Sequence, residues 1–163
     1  LRGRRLWLAV AVGALVVLFD QLTKHLVADT IKSGERIRLT PFLSLVHTTN
    51  KGVAFGLDPG GSALPAVAIA LALIAFTLFL LRTASRLIWL PAGLILGGAI
   101  GNIVDRLING AVTDFIQLPL GWPPFNVADA AITVGVVVLL AISWRGGEQP
   151  RPLARRNTAP TDA

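Results

Sequence analysis

The chain has 163 residues, 53% of them hydrophobic, a mean hydropathy of +0.67 and a formal net charge of +6. That is too apolar for an ordinary soluble domain and points to one small integral membrane domain. With no cysteine, disulfides and thiol nucleophiles are excluded, and two distant histidines, His25 and His47, do not make an HExxH zinc site.

The positive charge does not read as a nucleic-acid footprint. The arginines gather at the two chain ends and in one short loop, which suits anionic lipid headgroups. Arg2, Arg4 and Arg5 precede an apolar run that continues through Asp20, Gln21 and Lys24. Although its start resembles a secretory signal, its length predicts a retained first span over 6–27, about 33 Å of helix. Asp20 and Lys24 stand i, i+4 on one face. Two readings stay open: a local salt bridge with Lys24 snorkelling to the interface, and a place in a functional site.

Residues 28–61 turn polar and rich in β-formers, with a turn at Ser33-Gly34. They predict a small sheet lying on the membrane. Within them, Asn50-Lys51-Gly52 reads first as a turn. A charge-free second span follows over 64–81, then a short loop with Arg82 and Arg86. The third span, 87–107, is thinned by Gly93, Gly97, Gly98 and Gly101, of which Gly97/Gly101 form a GxxxG pair that lets helices approach closely. Asn102, Asp105 and Arg106 occupy its last turns, where Asp105 and Arg106 can join one polar network. Asn109-Gly110 is a turn signal, and residues 111–118 read as a short extended or re-entrant piece carrying Asp114. Asn126 caps a fourth span over 127–144, with Asp129 in its first turn. Residues 145–163, rich in Arg, Pro and Gly, have the composition of a disordered tail.

The basic-residue bias places both termini in the cytoplasm. Asp20, Asn50, Asp105, Asp114 and Asp129 then gather toward the outer face. A carboxylate at a helix centre costs about 3 kcal/mol, so such residues usually mark a cavity or an active centre. Two close carboxylates share a proton near neutral pH; one then activates water while its protonated partner polarises a carbonyl. Without cysteine or a metal cluster, this is the available route to peptide hydrolysis. A small proton or ion carrier using buried carboxylates is the alternative, although four spans without repeats are few for a carrier. Asp105 and Asp114 compete as the partner of Asp129.

Five ordered blocks carry a resemblance. They are residues 20–24 (DQLTK), 50–55 (NKGVAF), 97–106 (GGAIGNIVDR), 112–115 (VTDF) and 125–129 (FNVAD). Together they resemble the lipoprotein signal peptidases, or signal peptidase II, which are intramembrane aspartyl proteases. The resemblance implies a mainly α membrane protein with four transmembrane helices and a small extracytoplasmic β region between the first two, in the bacterial cytoplasmic membrane. It implies cleavage of diacylglyceryl-modified prolipoproteins just before the lipid-bearing cysteine, with globomycin as an inhibitor and no metal or cofactor. It maps the catalytic pair onto Asp114 and Asp129. Asn50, Gly52, Asn102, Arg106 and Asn126 map onto the substrate or inhibitor pocket, and Asp20, Lys24 and Asp105 onto a supporting polar network. Lys51 departs from the Thr or Ser of many members. The chain begins at Leu1, which points to a native start further upstream.

Overall fold

The computed structural model describes residues 2–51 and 87–146. The expected second span over 64–81, Gly52 and the tail beyond residue 146 lie outside the described residues. Within them the order is α1 (Arg2–Thr30), β1 (Arg36–Thr40), β2 (Leu43–Asn50), α2 (Trp89–Asn109), β3 (Val112–Gln117) and α3 (Val127–Gly146). All three helices are long and apolar enough to cross a membrane. The protein is therefore a mainly helical membrane protein with a small three-stranded sheet.

Helix α2 is the central element, packing along both α1 and α3. Its glycines divide the work between its neighbours. A Cβ on Gly97 would stand 2.7 Å from the Gly13 carbonyl oxygen, so only glycine permits this approach of α1. Gly93 faces α1 beside it, whereas Gly98 faces Ala128 of α3. The expected Gly97/Gly101 pair thus faces α1, and Gly93 extends that glycine face by one turn. At Gly101 the α1 neighbour is a side chain: a Cβ there would lie 2.7 Å from Asp20 Oδ2. Glycine at this position leaves room for a buried carboxylate.

The helices end where chain chemistry requires it. Gly110 closes α2 at φ 71°, in the left-handed region that glycine enters freely, and its N–H donates to the Arg106 carbonyl. At the start of α3, the Asp129 N–H donates to Asn126 Oδ1 (2.9 Å) and the Asn126 N–H donates to Asp129 Oδ2 (3.2 Å). This reciprocal capping box satisfies two backbone donors and fixes the Asp129 carboxylate at the same time.

The sheet has the order β1-β2-β3, antiparallel throughout. Its third strand comes from residues 112–117, between α2 and α3, so the sheet is not confined to 28–61 as expected. Helix α1 also extends past the expected limits of 6–27 at both ends. Leu45 and Ile116 pack with Val127 on a core of Val27, Ile31 and Phe115, which seats the sheet on the end of α1. Thr48 pairs with Asp114, so β2 sets the register that positions Asp114.

Candidate active site

Five segments bring polar groups to one end of the helix cluster. Two linked layers result, one deep and saturated, the other adjoining it and partly accessible.

The deep layer is built on α1 and α2. Lys24 Nζ lies 2.7 Å from Asp20 Oδ2 and 3.1 Å from Asp105 Oδ2. Lys24 is 4% exposed and Asp20 fully buried, so the ammonium does not snorkel to the interface. Asp20 Oδ1 accepts the Ala128 N–H of α3 at 2.9 Å. Asp105 accepts Gln21 Nε2 at 3.0 Å and the Thr113 N–H at 3.0 Å. One ammonium faces two carboxylates here, and amide donors supply the remaining compensation that burial demands. Asp105 is held by Lys24, Gln21 and the β3 backbone. The network expected around Arg106 forms instead around Lys24, while Arg106 Nη1 donates to the Asn102 carbonyl at 3.2 Å.

The second layer holds Asp114 and Asp129, joined through two asparagines. Asn126 Nδ2 donates to Asp114 Oδ1 at 2.7 Å, and its main-chain N–H donates to Asp129 Oδ2. Asn102 Nδ2 donates to Asp129 Oδ1 at 2.8 Å. Asn102 Oδ1 in turn accepts from Lys24 Nζ at 3.0 Å and from Asn126 Nδ2 at 3.2 Å. Lys24 therefore fixes which way the Asn102 amide points, and Asn102 presents its donor face to Asp129. Asn50 Nδ2, at the end of β2, donates to Asp114 Oδ2 at 3.2 Å. Asp114 is buried and Asp129 half-buried.

The Asp114 carboxyl is raised from 3.8 to about 6. Burial is the larger cause and the neighbouring Asp129 charge the second; the Asn50 and Asn126 donors pull the other way. The sign is that of a carboxylate pair in which one member holds a proton readily.

The structure thus brings together nine of the ten residues singled out in the sequence; the tenth, Gly52, lies outside the described residues. Asp105 and Asp114 have different partners. Asp105 is enclosed by an ammonium and two N–H donors, whereas Asp114 shares the Asn126 side chain and main chain with Asp129. Gln21 had no assigned role, yet it also donates to Asp20 Oδ2 (3.3 Å) and to the Gly101 carbonyl (3.2 Å). Its signal was an amide beside an acid in an otherwise apolar helix.

A membrane-embedded helical frame carrying two carboxylates, linked by amides at the helix ends, defines a protein of the intramembrane aspartyl protease type. Residues 12–145 match the family model described as signal peptidase (SPase) II, and the chain belongs to that family. It is 44% identical over 142 residues to a lipoprotein signal peptidase of Burkholderia thailandensis, covering 82% of this chain and 84% of that one. It is 45% identical over 148 residues to one from Cupriavidus taiwanensis, with 86% and 83% covered. Two solved structures are also similar, each described as a bacterial membrane enzyme obtained by the in meso method. One, at 1.9 Å resolution, has a TM-score of 0.75 and 31% identity, covering 83% of this chain and 91% of that one. The other, at 2.3 Å, has a TM-score of 0.76 and 29% identity, covering 89% and 93%.

Proposed function

We propose that Asp114 and Asp129 are the catalytic pair of an aspartic endopeptidase that removes the signal peptide from prolipoproteins. The observation that carries the assignment is the shared Asn126, whose side chain holds Asp114 while its main chain holds Asp129. In the reaction, water attacks the scissile carbonyl carbon and its proton passes to ionised Asp129. Protonated Asp114 donates to the carbonyl oxygen. The gem-diol intermediate then collapses: the C–N bond breaks, the leaving nitrogen takes the proton held by Asp129, and one gem-diol hydroxyl returns its proton to Asp114 as the carbonyl re-forms. Cleavage falls just before the lipid-bearing cysteine of diacylglyceryl-modified precursors. Asn50, Gly52, Asn102, Arg106 and Asn126 contribute to the substrate pocket, and globomycin competes for it. Asp20, Lys24 and Asp105 hold Asn102 and β3 in place from below.

The basic-residue bias supports both termini in the cytoplasm and the site facing outward. Residues 64–81, a run without charge, supply the fourth crossing, so that residues 1–144 form one peptidase domain and 145–163 a cytoplasmic tail.

The test is cleavage of a lipidated precursor by purified protein at equal folded concentration. Asp114→Asn and Asp129→Asn are each expected to abolish turnover while still binding the precursor. The double variant is expected to be no worse than either, because the pair acts as a unit. Asp105→Asn retains part of the activity. Substantial activity in Asp114→Asn together with a dead Asp105→Asn refutes the assignment.

A further inference from the structure

The sheet carries a second polar constellation, away from the carboxylate pair. Strand register puts Arg38, Ser44 and Gln117 opposite one another in one row across β1, β2 and β3. Side chains alternate along a strand, so Arg36 projects on the same face as Arg38. The adjacent row, Ile37, Leu45 and Ile116, projects the other way, and Leu45 and Ile116 are the residues that pack toward α1. The polar row therefore lies on the face turned away from the core. It lines a groove of about 530 Å³ whose walls also include Phe42 and Leu120.

Several features of this groove fit a ligand of one kind. Its lining includes two arginines and no acidic residue. Neither arginine has an ion-pair partner among the described residues. The rim is apolar and exposed: Phe42 is 74% exposed and Leu120 is fully so. Leu120 also sits at φ 65°, a left-handed conformation that a bulky side chain rarely adopts. A strained and fully exposed leucine is doubly unfavourable in water, and insertion among acyl chains removes the larger of the two costs. The groove is tied to the ends of two membrane-crossing helices, by residues 31–35 after α1 and by residues 121–126 before α3.

We propose that this groove binds one anionic glycerophospholipid whose headgroup bears hydroxyls. Arg36 and Arg38 take the phosphodiester, the Ser44 hydroxyl takes a headgroup hydroxyl, and Phe42 and Leu120 lie against the acyl chains. A bound lipid of this kind fastens the sheet that carries Asp114 to the bilayer surface. The inference rests on the membrane placement of α1 and α3 and is independent of the peptidase assignment.

The experiment uses the full chain in phosphatidylcholine nanodiscs, with phosphatidylglycerol titrated in and retained lipid counted by native mass spectrometry. Wild type is expected to retain one more phosphatidylglycerol than Arg36→Gln/Arg38→Gln. At about fivefold per basic residue, the double variant requires about twenty-five-fold more phosphatidylglycerol for equal occupancy. Leu120→Asn, which relieves the backbone strain and removes the apolar contact, is expected to weaken retention while raising melting temperature in lipid-free detergent. Arg4→Gln/Arg5→Gln, at the other end of α1, is expected to retain the lipid as wild type does. Equal retention by wild type and Arg36→Gln/Arg38→Gln overturns the proposal. So does equal thermal protection by inorganic phosphate and by phosphatidylglycerol, which assigns the arginines to a free anion. A raised KM for lipidated precursor in pure phosphatidylcholine with Arg36→Gln/Arg38→Gln also overturns it, because the groove then belongs to the substrate.

Discussion

Asp114 couples the protein's stability to pH, and the sign of that coupling is the reverse of the usual carboxylate case. Its carboxyl titrates at about 6 in the fold and at 3.8 when unperturbed. Between those values the folded chain keeps a proton that the unfolded chain has released, so stability falls as pH rises through the window. A displacement of about two units corresponds to about 3 kcal/mol, present in full below the unfolded value and lost above the folded one. Asp114→Asn has no proton to release. Its stability relative to wild type is therefore expected to climb by up to about 3 kcal/mol between about pH 3.5 and about pH 7. Hydrogen bonds altered by the amide add an offset that does not depend on pH, and every other titrating group is common to the two proteins. Reversible unfolding of both proteins in a non-ionic detergent, at stepped pH, measures the difference directly. A flat difference across the window, or one that falls with pH, refutes the reasoning. In the same assay Asp129→Asn is expected to move the Asp114 midpoint down while leaving it above 3.8, because burial is the larger cause.

Lys24→Met leaves Asp20 and Asp105 buried without their shared cation, and is expected to cost about 3–5 kcal/mol in unfolding measurements; a loss under about 1 kcal/mol would sink the view that Lys24 anchors the deep layer. Asn50→Ala removes the donor to Asp114 Oδ2 and is expected to slow precursor cleavage with the melting temperature little changed. If that variant only expresses poorly while its purified form cleaves normally, Asn50 is a structural turn residue.

What the sequence made legible was local. Apolar runs gave the three described helices to within a few residues at most ends. Asn109-Gly110 marked a real helix stop, and Asn126 with Asp129 formed the expected cap. The convergence of carboxylates could also be read, because charge in an apolar span has few destinations. What stayed hidden was pairing over long separations. Nothing local in residues 112–117 says that they add a third strand to a hairpin more than sixty residues earlier. The Asp20 carboxylate meets the Ala128 N–H across 108 positions. Four closely spaced glycines in α2 signal close approach but not which neighbour each one meets, since that follows from how α1 and α3 dock. The competition between Asp105 and Asp114 needed the three-dimensional partners of Asp105 before a geometric argument existed.

The two carboxylates of the pair ride on different bodies. Asp114 belongs to the sheet, seated on the end of α1, whereas Asp129 belongs to the first turn of α3. Bilayer thickness acts on the tilt of an apolar helix and not on a strand ladder. Stretching or thinning the bilayer is therefore expected to shear one carboxylate against the other, working against the Asn126 tether and the Val127 packing that join the two elements. Turnover measured across phosphatidylcholines of increasing chain length is expected to pass through a maximum, and a flat profile would show that the Asn126 tether absorbs the shear.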